Sequence, residues 1–168
     1  LTTELASPGG AVESPVAIAD RDAVIVTSDR GSVWMVSVTE GRVERLDNGS
    51  HDFCADPAVT CGDDGNAVLW QAWSVPHMPW DHSLQVRIDL VEGTYCIIEG
   101  TGQQQQITPT DRGVFALRDD TGWLNLWCDD QVVVSEKVEH GGPSWGASQR
   151  LFAISPDGRH LAFTRNIG

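Results

Sequence analysis

The chain has 168 residues, 40% of them hydrophobic, and a net charge of -13 from 11 basic and 24 acidic side chains. That is enough for one domain with a moderate core. The acidity argues against nucleic acid and anionic membrane surfaces as partners, because phosphates need Lys and Arg to neutralise them. No run approaches the length of a membrane-spanning helix. The N-terminus, LTTELASPGG, has neither the charged start nor the apolar core of an intact signal peptide. It begins at Leu1 without an initiator methionine, so a processed product, a cloned piece or a segment of something longer is expected.

The sequence shows almost no helical periodicity. Short strand-like runs recur, cut by Gly, Asp, Asn and Pro. Ser14–Ile18 and Ala23–Ser28 read as two strands joined at Asp20–Asp22. Ser32–Val38 is a third, with Trp34, Val36 and Val38 alternating on one face, and Arg42–Leu46 a fourth.

The pattern repeats. Asp56–Thr60 opens a strand, Gly62–Gly65 turns, and Ala67–Trp73 follows. Ten residues, Ser74–Ser83, then lead to Leu84–Leu90 and Thr94–Ile98. Ordinary hairpin loops use about two to five residues, so this one is an insertion with its own packing. It holds Pro76, His77, Met78, Pro79, Trp80 and Asp81.

The third copy runs through Gln105–Thr108, Val114–Arg118, Trp123–Cys128 and Val132–Glu136. The polar tract Gln103–Gln106 reads as a solvated connection between repeats. A fourth copy starts at Gly142-Pro143-Ser144-Trp145 and runs through Arg150–Ile154 and His160–Arg165.

Aligned on their first strands, Pro15, Pro57, Gln105 and Pro143 are 42, 48 and 38 residues apart. Four short strands per unit at that period indicate an all-β chain of β-propeller-type, four-stranded antiparallel blades. The blades span approximately 12–48, 54–100, 103–138 and an incomplete 141–168. Such a single partial domain, about three and a half blades, is an incomplete ring. Each blade buries its faces against its neighbours, so a fragment, a partner chain or self-association through open blade edges is expected.

Three segments, in order, carry a resemblance. Asp56-Pro57-Ala58-Val59, then Trp70, then Met78-Pro79-Trp80-Asp81 is one; Asp120-Thr121-Gly122-Trp123-Leu124-Asn125-Leu126-Trp127 is the second; Glu139-His140-Gly141-Gly142-Pro143-Ser144-Trp145 is the third. Together they resemble the N-terminal propeller of the prolyl-oligopeptidase family, the dipeptidyl aminopeptidase and acylaminoacyl-peptidase group. The hairpin Ser155-Pro156-Asp157-Gly158 resembles Tol-system and peptidase propellers alike. The sequence departs from the family at Thr60–Gly65, at Val75–Met78 and at Thr108–Asp111.

The resemblance implies a propeller that gates short peptides and docks on an α/β-hydrolase domain carrying a Ser-Asp-His triad. No segment here resembles that domain, so this chain is expected to hold no catalytic residue, although its parent is expected to be a serine peptidase. His77, Met78, Trp80 and Asp81 are the expected contacts with substrate or partner. The alternative is a stand-alone Tol-type propeller that binds a protein; a third reading is a sugar- or polyphenol-processing propeller enzyme.

Other chemistry is weakly supported. Gly142-Pro143-Ser144-Trp145-Gly146 matches G-x-S-x-G, but the expected structure there is a blade strand. His77 and His82 lack helical or zinc-finger spacing, and the Asp pairs sit beside turns, so no metal is expected. No phosphate-binding glycine motif occurs, so no cofactor is expected. Trp34, Trp127 and Trp145 are expected in the core between blades. Cys54, Cys61, Cys96 and Cys128 form no C-x-x-C pair and read as reduced, mostly buried thiols in the cytoplasm, with a Cys54–Cys61 bridge compatible by spacing alone.

Overall fold

The computed structural model describes residues 4–18, 21–29, 31–60, 67–144 and 149–167. The strands are β1 (Val12–Ile18), β2 (Ala23–Ser28), β3 (Ser32–Ser37), β4 (Val43–Arg45), β5 (Phe53–Val59), β6 (Ala67–Trp73), β7 (Leu84–Asp89) and β8 (Tyr95–Ile98). There follow β9 (Gln104–Thr110), β10 (Gly113–Arg118), β11 (Asn125–Cys128), β12 (Gln131–Val132), β13 (Phe152–Ile154) and β14 (Leu161–Phe163). They form three four-stranded antiparallel sheets in strict chain order, β1 to β4, β5 to β8 and β9 to β12, with β13 and β14 as a two-stranded fourth.

The sheets stand side by side as blades. First strands approach one another, β1 against β5 and β5 against β9, while β4, β8 and β12 touch only the third strand of their own sheet. This is a propeller arrangement, with first strands nearest a common axis.

β6 is buried along its whole length. Its side chains alternate between two covered faces, which explains a near-continuous apolar run. Val68, Trp70 and Ala72 join Ile18, Ile25 and Val33 of the first sheet and Val86 of β7 in one core. A smaller core gathers Leu117, Leu124 and Leu126 with Phe152 of the fourth sheet.

Each complete first strand carries the same irregularity. Two residues face one on the neighbouring strand: Ser14-Pro15 against Val26, Asp56-Pro57 against Trp70, and Gln106-Ile107 against Ala116. The first residue of each pair is left-handed, at φ 52°, 47° and 52° for Ser14, Asp56 and Gln106. A bulge leaves a residue outside the ladder, so a proline without an N–H fits there. The bulges reach across blades. Ser14 Oγ donates to Asp56 Oδ1 at 3.3 Å, and Gln106 Nε2 donates to the Phe152 carbonyl at 2.7 Å. Gln106 Oε1 accepts from the Leu151 and Phe152 amides. Ile107, not Gln105, is therefore the counterpart of Pro15 and Pro57.

Other expectations need correction. Gln104, Gln105 and Gln106 are buried in β9 instead of forming a solvated link. Trp34 and Trp127 are only partly buried, beneath the guanidinium groups of Arg45 (5.9 Å) and Arg118 (4.8 Å). Among the described residues the buried tryptophans are Trp70 and Trp73. Val38 is exposed, and Val33 and Val36 are the buried members of β3: Val33 joins the core shared with the second sheet, and Val36 on the opposite face lines a hollow with Leu5, Pro8 and Val26. Gly142–Ser144 forms no strand. Among the described cysteines only Cys54 is buried; Cys96 is exposed and Cys128 intermediate, and all three are free. Asp20, the Cys61–Gly65 stretch, Trp145 and Gly146 lie outside the described residues.

Candidate functional site

The connection from β6 to β7 lies on the face where the chain crosses from one blade to the next. Both of its ends are tied to such crossovers. At its start, the Asp52 amide donates to Ser74 Oγ at 3.2 Å, and the Val75 amide donates to Asp52 Oδ2 at 2.9 Å. At its end, the Ser83 amide donates to the Gly102 carbonyl at 3.2 Å.

Between these anchors the loop is built from short turns. The Val75–Pro76 peptide is cis. The His77 amide donates to the Ser74 carbonyl at 3.0 Å, and the Asp81 amide to the Met78 carbonyl at 2.9 Å. Asp81 Oδ2 accepts from the Met78 amide at 3.1 Å, closing the second turn. Pro79 is buried beneath the loop and Trp80 is half-buried. His77, Met78 and Asp81 are exposed, together with Val75 and Pro76. The His77 and His82 rings lie 5.5 Å apart, centroid to centroid. No group of three metal-ligating side chains occurs among the described residues.

The loop is held from below by buried polar groups, among them a glutamine expected in a solvated link. Ser83 Oγ is at the centre of a buried network. It accepts from Gln71 Nε2 at 3.0 Å and from the Gln104 amide at 2.9 Å, and it lies 3.0 Å from the Gln104 carbonyl, to which it donates. Gln85 Nε2 donates to Gln104 Oε1 at 2.7 Å, and Gln104 Nε2 donates to the Ile98 carbonyl at 3.2 Å. The signal in the sequence was Gln71, a lone amide inside an otherwise apolar strand, which requires a buried partner.

The neighbouring connection, between β10 and β11, shares this anchorage. Asp120 Oδ1 accepts from the Thr101 amide at 2.9 Å and its Oδ2 pairs with Arg118 at 2.5 Å. Burial pushes the Asp119 carboxyl up from its ordinary value, against the Gln103 amide that bonds it. A side chain on Gly102 would meet Asp119 Oδ1 at 2.1 Å, so the carboxylate would have to swing away to admit one. Behind it, Gln85, Ile98, Arg118, Trp127, Asp129 and Asp130 line a cleft of about 220 Å³ between the second and third sheets.

Among the described residues the serine motif assembles no triad. Ser144 Oγ is buried with no hydrogen-bond partner. Asp157 instead bonds Ser155 Oγ (2.5 Å) and the Arg159 amide (3.1 Å), while the His160 amide donates to Ser155 Oγ at 2.9 Å. These groups shape the hairpin between β13 and β14. A nucleophile needs a base within hydrogen-bond reach, and Ser144 has none among the described residues.

No protein-family profile and no curated protein matches the sequence. Solved structures do match the fold. A puromycin hydrolase variant complexed with PGG superposes with a TM-score of 0.77 at 22% identity, over 98% of this chain and 29% of that one. A Mycobacterium tuberculosis puromycin-hydrolyzing peptidase gives 0.76 at 21% identity, over 98% and 29%. A further puromycin hydrolase gives 0.66 at 22%, over 92% and 28%. The chain thus spans under a third of the length of these structures. At this identity the likeness shows the fold, and it bears out the resemblance drawn from the motifs at that level: the chain is a run of β-propeller blades like one contained within these peptidases.

Proposed function

We propose that this chain is a non-catalytic propeller segment of a prolyl-oligopeptidase-type serine peptidase. Its crossover face docks on an α/β-hydrolase domain and restricts access to short peptides. His77, Met78, Trp80 and Asp81 form the contact. The observation that carries this reading is the match of nearly the whole chain to under a third of puromycin-hydrolyzing enzymes. A second support is the shape of the Ser74–Ser83 loop. It is pinned at both ends and presents an apolar, proline-stiffened tip, as a fixed contact requires. The free Cys54, Cys96 and Cys128 thiols fit work in a reducing compartment such as the cytoplasm.

Two experiments test this. The 168-residue chain alone should hydrolyse no aminoacyl or peptide amide; activity abolished by Ser144→Ala would overturn the reading. The gene around the segment should encode a G-x-S-x-G elbow with later Asp and His. In the protein so encoded, replacing 76–81 by glycine and serine should relax the discrimination between short and long peptides. An unchanged length profile would remove the gating role from this loop.

A further inference from the structure

The outer edges of the three four-stranded sheets differ in chemistry. β4 is three residues long and carries charge, with Arg42 paired to Glu44 and Arg45 to Asp47 at 2.7 Å. β12 has two residues and follows Asp129 and Asp130. Both edges are blunted in the ways that natural sheets discourage strand addition, by shortness and charge. β8 is the longest of the three, at four residues, and keeps its charges, Glu92 and Glu99, outside the strand. It is Tyr95-Cys96-Ile97-Ile98, with no charged side chain, and its first three residues are exposed.

The backbone of β8 is ready to pair. The Asp89 amide donates to the Thr94 carbonyl at 3.0 Å, so Thr94 faces β7. Along an antiparallel pair the peptide groups alternate, which turns the Tyr95 and Ile97 N–H and C=O groups outward. The strand is held firmly while it does so. It pairs with β7 from Ile88↔Tyr95 to Gln85↔Ile98, and the Tyr95 ring meets the Trp70 ring edge-on at 6.3 Å.

Charge defines the partner. Glu92 and Glu99 are exposed just before and just after β8, and Asp89 ends β7. Arg87 is the single cation on β7. We propose that the β8 edge binds an extended segment of a partner protein as a fifth strand, the segment having β-branched apolar residues and Lys or Arg at its ends. Main-chain bonds to Tyr95 and Ile97 supply the pairing and the two glutamates hold the basic ends. A second copy of this chain fits less well, because it brings the same glutamates and a net charge of -13.

The test uses the full protein that carries this segment and a synthetic peptide of alternating valine and threonine with two lysines at each end. Binding should saturate, and amide exchange over 95–98 should slow. Ile97→Lys should weaken binding about tenfold or more, and Glu99→Lys severalfold, with Val132→Lys on the β12 edge leaving it unchanged. Glu99→Lys lies outside the strand, so it tests the edge even where Ile97→Lys disturbs folding. Absence of exchange slowing, or equal binding by the wild type and Glu99→Lys, would overturn the proposal. Self-association abolished by Ile97→Lys would assign the edge to a second copy and overturn the basic partner.

Discussion

The second sheet is buried on both sides, yet its two joints are made of different matter. Toward the first sheet it presents Val68, Trp70, Ala72, Leu84, Val86 and Ile88, packed on Ile18, Ile25 and Val33. Toward the third it presents Gln71 and Gln85, which with Ser83 bind Gln104. Apolar burial is strong but has no direction, so the first joint supplies stability and tolerates small sliding. Hydrogen bonds contribute less net energy but fail when misaligned, so the second joint sets register. The loop that carries the candidate site is rooted in the second joint, through Ser83. Its position therefore depends on the weaker and more exacting of the two.

That contrast can be broken in stages. The largest effect belongs to the apolar joint. Trp70→Ala should cost about 3–5 kcal/mol, read from the shift of the urea midpoint. Ser83→Ala should cost less, about 1–3 kcal/mol, since it leaves the Gln71 amide and the Gln104 backbone groups buried without their partner. Slowed proteolysis is not expected in either case; Ser83→Ala should instead speed cleavage within 75–82, and equal cleavage rates would mean that the network does not hold the loop.

A smaller effect separates the joints by pH. Asp47 sits at the rim of the apolar joint. Burial alone would raise its pKa, but the Arg45 guanidinium and the Val33 and Gly49 amides outweigh that and hold it below the usual 3.8. A depressed pKa contributes stability above the unfolded value and loses it as the pH falls through the folded one. Acid should therefore lower the melting temperature of the wild type more than that of Asp47→Asn below pH 3.8. Equal acid sensitivity would mean that this carboxylate does not stabilise the rim. In the polar joint Ser83→Ala removes no ionisable group and leaves the Arg118–Asp120 pair in place, so it should leave the acid profile unchanged in shape.

The smallest effect is a chemical silence. Burial, more than the nearby Asp47, pushes the Cys54 thiol up to about 12. At pH 8 a thiol reagent should modify exposed Cys96 in the folded protein and reach Cys54 only after unfolding. Cys54 modification in parallel with Cys96 would show that the apolar joint opens readily.

The two joints were not equally legible in the sequence. The apolar one was: Ala67–Trp73 and Ala23–Ser28 are strands with the bounds expected from their composition. A run of valine, leucine and tryptophan between turn residues has few other fates. The polar joint is not legible, because four glutamines in a row look like solvated chain. Glutamine carries both a donor and an acceptor, so it can be buried wherever another sheet offers the complement, and that complement, Gln85 and Ser83, is distant in sequence. The tryptophans misled in the opposite way. Trp34 and Trp127 lie on the third strands of their sheets beneath arginines, a place that hydrophobicity alone does not reveal. In the candidate site, Pro76 to Asp81 stood out by composition. The anchors Asp52, Ser74, Ser83 and Gly102 did not: Asp52 and Ser74 meet just beyond the last pair of the β5–β6 ladder, and Ser83 meets Gly102 only once the second and third blades are side by side.

The left-handed bulges at Ser14, Asp56 and Gln106 bear on how such a chain can change over generations. The spacing between successive bulges is unequal, yet the geometry at each is the same, two residues against one. Insertions and deletions are thus absorbed in connections such as Ser74–Ser83, while the bulge of each first strand stays constant even where the joint beside it changes from apolar to polar. A unit copied from bulge to bulge arrives with its own coupling to the next. The loops are then free to diverge, so selection for a new partner can act on the crossover face without unsettling the ring behind it.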